Sequence, residues 1–138
     1  MPDAPHLYRH RVRFRECDKM GVVYHVHYLD WFEVARTEAL RDLGLPYKQI
    51  EESGYILPVT DLAAKFHQPA RYDDEIIVET RVSISKSAVR ITCEYVIRRE
   101  ADELKLVTGH VTLCFFDPER SRPVAAPDEF LRILRGDR

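Results

Sequence analysis

The sequence predicts an α+β domain in which an antiparallel sheet of about five strands wraps around one long central helix. Three observations predict it. Apolar and polar residues alternate with period two in several separate segments, the mark of strands with one face buried. One stretch, from about Tyr24 to Leu43, is apolar at helical spacings around much of its girth, so it is buried on several sides. The connections between the later strand segments are too short to hold a crossover helix and suit hairpins instead.

In the first strand Tyr8, His10, Val12 and Phe14 point one way, and Arg9, Arg11, Arg13 and Arg15 the other. An arginine row of this kind is ordinarily a solvated face. Glu16 to Gly21 reads as a loop closed by a glycine. Along the helix, Tyr24, Tyr28, Trp31, Phe32, Ala35, Ala39 and Leu43 recur at spacings of three and four, while Leu29, Val34 and Leu40 widen the stripe. Gly44 suits the position just past the helix end, and Pro46 prevents continuation. A short helix is expected over Pro46–Ser53, ended by Gly54. Four strand segments follow, read as a meander: Ile56–Phe66, Glu75–Ser85, Ala88–Arg99 and Lys105–Phe116. Their links include Tyr72-Asp73-Asp74, Lys86-Ser87 and Ala101-Asp102-Glu103. A last short helix is expected over Pro127–Leu134.

The 138 residues fit a single domain, 1–138. Twenty-one basic and 23 acidic side chains give 21 − 23 = −2, which excludes an overall basic footprint for nucleic acid and gives no reason to expect an anionic membrane as partner. With 45% hydrophobic and 32% charged residues the composition is that of a folded globular chain rather than a disordered one. Cys17, Cys93 and Cys114 are odd in number and form no CxxC pair, so a disulfide scaffold or structural zinc site is not expected. The N-terminus shows no secretory signal, and no run reaches the ~18 apolar residues of a membrane span, so the expected location is cytoplasmic.

Chemistry concentrates in the segment from Arg15 to His25. It places an acid, Asp18, in a loop, then Gly21, then the first turn of the buried helix. The first amides of a helix have no internal partner and the dipole makes that end electropositive, so it can hold an oxyanion. A carboxylate nearby could serve as nucleophile or general base; equally, Asp18 could simply cap the helix. His25 and His27, two apart, face in different directions and do not chelate one ion, so no metal is expected. Cys17 with His10 or His25 permits a thiol–imidazole pair, although a buried cysteine acting as a small hydrophobe is commoner. There is no GxSxG elbow, P-loop or GxGxxG.

Arg11-Val12, Cys17-Asp18, Gly21-Val22-Val23, His25 and Tyr28, continued by Trp31-Phe32-Glu33-Val34-Ala35-Arg36, resemble the signature of the 4-hydroxybenzoyl-CoA thioesterase family of hotdog-fold proteins. Within it the chain is most similar to the acyl-CoA thioesterases associated with the bacterial Tol–Pal system. Gln68-Pro69-Ala70-Arg71-Tyr72-Asp73-Asp74 extends the likeness beyond the signature.

The resemblance implies a hotdog domain assembled as dimers or tetramers, with an acyl-CoA substrate and no cofactor. It implies hydrolysis to a carboxylic acid and free CoA, with Asp18 attacking the thioester or activating water and His25 at the oxyanion site. Gly21, Val22 and Tyr28 join the substrate-contacting set, with Leu57 and Val59 along the acyl chain. Lys86, Arg90 and Arg71 are the candidates for the CoA phosphates, against solvated turn charges as the plain alternative.

Phe14 stands where close relatives often carry a tyrosine, which removes any hydroxyl role there. His25 replaces the aromatic residue of some aromatic-substrate members, which points to a short- or medium-chain aliphatic acyl group. Two rival functions share the same residues: an enoyl-CoA hydratase using Asp18 and His25 as an acid–base pair, and a non-catalytic acyl-CoA-binding protein.

Overall fold

Alternation shapes the third strand as period two requires. In the computed structural model, which describes residues 4–136, strand β3 (Glu75–Ile84) buries Ile76, Val78 and Thr80 and turns Glu79 and Arg81 outward. Met1, Pro2 and Asp3, part of the N-terminal reading above, lie outside the described residues. The elements preceding it are β1 (His6–Arg11), a 3₁₀ turn (Phe14–Glu16), α1 (Val26–Asp42), α2 (Tyr47–Glu52) and β2 (Val59–Phe66). After it come β4 (Arg90–Arg99), β5 (Lys105–Cys114), the short ribbon β6 (Phe116–Asp117) and β7 (Arg122–Pro123), and α3 (Asp128–Leu134).

The sheet order β1-β3-β4-β5-β2 is antiparallel throughout and corrects the expected four-strand meander. Only β3, β4 and β5 follow one another as hairpins. Strand β2 sits at the far edge beside β5, so the segment 67–74 is not a hairpin loop but a crossing that returns the chain to β3. Its amides bind what they pass over: His67 and Gln68 both donate to the Leu106 carbonyl, at 2.8 and 3.2 Å.

The first strand is also shorter than alternation suggested. Val12 still exchanges hydrogen bonds with Asp73 and Asp74, but the chain then peels into the 3₁₀ turn. Phe14 is 78% exposed instead of facing the core, and Arg13 and Arg15 leave the strand face with it. Strand β2 begins at Val59 rather than Ile56 because Pro58 has no amide to give a ladder. Ile56 pairs instead with Phe116, which ends β5 early at Cys114.

Helix α1 starts at Val26, two residues later than expected, since the Tyr24 amide donates to the Glu16 carbonyl at 2.9 Å and is held in the turn. It buries Tyr28, Trp31, Phe32, Ala35, Ala39 and Leu40 against the sheet. Phe32 stacks on Tyr95 of β4, with centroids 4.2 Å apart and planes 8° from parallel. The helix ends as its sequence requires: Gly44 takes φ +96°, its amide bonds Arg41, and the Leu45 amide reaches back to Leu40 at 2.9 Å.

The helix comes close to β5 at Gly109. A Cβ there would lie 2.5 Å from the Ala63 carbonyl oxygen and 2.9 Å from the Phe32 ring. The oxygen belongs to a ladder and cannot yield alone. Gly109→Ala is therefore expected to lower stability by about 1–3 kcal/mol, read by chemical denaturation.

Candidate active site

The loop that carries Asp18 is a tight turn closed by backbone bonds. Cys17 faces Val23 in an antiparallel bridge, the Asp18 amide donates to the Val22 carbonyl at 2.9 Å, and the Gly21 amide returns to the Asp18 carbonyl at 3.0 Å. Gly21 has φ +79°, a left-handed conformation that glycine adopts without a Cβ penalty. The exposed Asp18 carboxylate accepts the Met20 amide through Oδ1 at 2.8 Å, while Oδ2 has no hydrogen-bond partner among the described residues. The helix-capping alternative is thus corrected. Asp18 closes its own turn, and His25 occupies the N-cap position without a side-chain cap bond.

This turn runs straight into the start of α1. The Val23 and Tyr24 amides are taken by the Ala70 and Glu16 carbonyls, and the helical bonds begin with His27 to Tyr24 and Tyr28 to His25. The His25 and Val26 amides lie between these sets and have no acceptor among the described residues. They are two of the orphan donors of a helix N-terminus, at the positive end of a 17-residue helix.

The His25 ring packs near Tyr24 and Phe66, with centroids at 4.7 and 6.1 Å, and helps line a shallow cavity of about 210 Å³ with Tyr28, Phe66 and His67. Tyr28 lines this cavity, and its buried hydroxyl oxygen accepts the Ala70 amide at 2.9 Å. Burial also pushes the Tyr28 phenol above its ordinary pKa.

Behind the turn lies a group that the sequence reading passed over as loop: Glu16. Its carboxylate is buried and accepts the Arg13 amide at 2.7 Å, meets His10 Nε2 at 2.9 and 3.1 Å, and accepts the Trp31 indole N–H at 3.1 Å. Burial raises its pKa, but the Arg13 amide, His10 and Trp31 outweigh that and hold the carboxyl below its ordinary range. Glu16 ties strand, turn and helix together next to Asp18. A signal was available, since a tryptophan on the buried face of a helix needs an acceptor for its N–H.

The other candidates fall in different places. Arg71 bridges Val22 in an antiparallel contact, which sets it beside the Asp18 turn. Leu57 is buried next to Leu40 and Leu113 in a separate cavity of about 210 Å³, and Leu40 is roughly 22 Å along the helix from His25. Val59 is exposed at the start of β2. Lys86 and Arg90 lie at the opposite end of the 10-residue β3 from Arg71, roughly 30 Å away, and the Lys86 carbonyl accepts a bond from Arg135. A single chain does not bring them to Asp18.

The thiol–imidazole alternative is not assembled either. His10 faces Glu16, the Cys17 sulfur reaches the Arg13 carbonyl at 3.9 Å, and burial with Glu16, Asp18 and Asp74 raises the thiol pKa. Among the described residues, no group of three His, Cys, Asp or Glu side chains converges as a metal site.

Comparison with known proteins bears on this arrangement. Residues 12–134 match the family described as the Thioesterase-like superfamily. The chain is 37% identical to the acyl-CoA thioesterase YbgC of Haemophilus influenzae over 120 residues, covering 86% of each. It is 30% identical to the crystal structure of a DHNA-CoA thioesterase from Staphylococcus aureus, with a TM-score of 0.85 and coverage of 94% and 88%. The 1,4-dihydroxy-2-naphthoyl-CoA thioesterase Slr0204 of Synechocystis shares the fold at a TM-score of 0.86 over 94% of both chains, with 22% identity.

Proposed function

The chain belongs to the thioesterase-like superfamily of hotdog proteins, and from that premise we propose that it hydrolyses short- or medium-chain aliphatic acyl-CoA thioesters with Asp18 as the reacting carboxylate. The observation that carries this reading is an exposed carboxylate with one oxygen uncommitted, on a turn that feeds directly into a helix whose first amides are free. The thioester oxygen would be received by the His25 and Val26 amides, so the charge that develops there meets preorganised donors.

Two routes use the same atoms. In one, Asp18 attacks the carbonyl carbon, the thiolate of CoA leaves, and water hydrolyses the mixed anhydride. In the other, Asp18 takes a proton from the attacking water. Thiolate is a good leaving group, so neither route needs metal activation.

Strand β2 bears on completeness of the site. It is an edge strand exposed on both faces, with Val59 at 47% and Leu62 and Phe66 at 50%. An apolar edge of this kind is a template for pairing. Phe66 belongs both to that edge and to the His25 cavity, so a second copy paired through β2 would wall the site. Leu62→Lys is expected to give monomers in sedimentation and to lower kcat/KM by about tenfold or more; active monomers would remove the partner from the site.

The test of function is thiol release from a chain-length series of acyl-CoAs by the purified protein. Turnover of aliphatic thioesters above benzoyl-type ones supports the reading. Hydration of crotonyl-CoA without CoA release, or binding without turnover, overturns it.

A further inference from the structure

We propose that the exposed aromatic pair Phe14–Tyr72, with its exposed chain neighbours Arg13, Arg15 and Arg71, is the docking surface for the 3′-phosphoadenosine diphosphate end of CoA, an assignment that rests on the thioesterase reading and adds carrier recognition to it. Phe14 and Tyr72 are 78% and 58% exposed and meet edge to face with centroids 5.8 Å apart, an apolar spot that this chain leaves open. Large exposed aromatics held together in this way signal a partner rather than a core. Each has a π-face on which a base can stack.

The charges around the pair favour an anion. Arg13, Arg15 and Arg71 are exposed, and none has a side-chain ion pair or hydrogen bond among the described residues. Three of the neighbouring acids are already answered, since Asp73 and Glu75 face Arg11 at 3.6 and 3.5 Å and Asp74 faces Arg99 at 3.1 Å, which leaves Asp18, the reacting carboxylate, as the one with a free oxygen and no ion pair among the described residues. Guanidinium groups match phosphate oxygens bidentately, so a base with a diphosphate and a phosphomonoester fits this surface better than a neutral ligand does.

The position is also right for the reacting end. Tyr72 follows Arg71, which bridges Val22 in the Asp18 turn, and Phe14 precedes Asp18 by four residues, at most roughly 14 Å of chain. The flexible pantetheine arm spans such a distance. Lys86 and Arg90, at the far end of β3, would need a second chain to reach the same Asp18. The departure of Phe14 from β1 is what creates the surface. Had alternation continued through residue 15, Phe14 would face the core and the arginines would lie along a strand.

The test compares kcat/KM for an acyl-CoA with that for the matching acyl-pantetheine, which lacks the nucleotide, using the full-length protein. The doubly substituted Phe14→Ala/Tyr72→Ala protein and the single variant Arg15→Ala are each expected to lower the ratio of the two values by at least about tenfold. Adenosine 3′,5′-bisphosphate should inhibit the wild type competitively and the variants far more weakly. An unchanged ratio overturns the proposal, and so does an equal loss on both substrates, which would mark a structural role. A change in subunit number on sedimentation would show the pair to be an interface between copies, and a ratio that falls only in Lys86→Ala/Arg90→Ala would move the nucleotide to the other hairpin. If the wild type cleaves neither thioester, the thioesterase reading fails. Calorimetric binding of adenosine 3′,5′-bisphosphate, with or without loss in Arg15→Ala, then decides the surface independently.

Discussion

Asp18→Asn is expected to fold as the wild type does and to lose at least about 100-fold in kcat. Folding should survive because the amide keeps the one side-chain bond the carboxylate makes. The asparagine carbonyl can accept the Met20 amide as Oδ1 does at 2.8 Å, and the other bonds of the turn, Asp18 to Val22 and Gly21 to Asp18, are main chain. Activity should fall because an amide is neither a nucleophile toward a thioester nor a base for water, while the His25 and Val26 amides proposed to receive the thioester oxygen are left unchanged. KM is accordingly expected to move little. Steady-state kinetics on the best acyl-CoA, beside a denaturation curve, checks both halves. A variant with near-wild-type kcat would remove Asp18 from the chemistry. Single turnover of the wild type in ¹⁸O-labelled water then separates the two routes, since label in the Asp18 carboxylate reports attack by the residue itself.

Much of this molecule is legible from periodicity because most of its elements have one buried face. Strands β3 and β4 alternate cleanly since both lie in the middle of the sheet over α1, and α1 is legible because it is packed on several sides. What periodicity cannot convey is pairing. Strand β2, the least regular of the strand segments and exposed on both faces, gives no local sign that it pairs with β5 at the far edge.

The site shows the same division. The Asp18 turn was readable from a loop acid, a glycine and a helix start in succession. Phe14 was not, because alternation has no means of marking where a strand peels away. Glu16 was missed for a related reason: a charged residue in a loop reads as solvated until the tertiary fold encloses it with His10 and Trp31.

Glu16→Ala should accordingly be the most destabilising of the substitutions considered, by about 2–4 kcal/mol. Removing the carboxylate strands the Arg13 amide and the Trp31 indole N–H without acceptors and leaves His10 facing a void, all in a place water reaches poorly. Glu16→Gln keeps the volume but supplies one acceptor oxygen where two are used. If that oxygen takes the Arg13 amide, the NH₂ group confronts the Trp31 N–H, donor against donor.

The pH dependence follows from the same bonds. The folded-state pKa of Glu16 lies below its unfolded value, so its contribution is present in full above the ordinary carboxylate range and is lost as pH falls through the depressed folded value. Wild-type stability should therefore decline as pH falls through and below the ordinary carboxylate range, with a steeper slope than that of Glu16→Gln. Trp31 is the chain's only tryptophan, so its intrinsic fluorescence reports this one hydrogen bond without a label. The emission change of the wild type should track the loss of stability, and the Gln variant should show no such step. Equal acid slopes in the two proteins would assign the acid sensitivity to other carboxylates and reduce Glu16 to a packing residue. Steeper wild-type loss with a matching emission step would instead identify Glu16 as the anchor that holds the Asp18 turn against the start of α1.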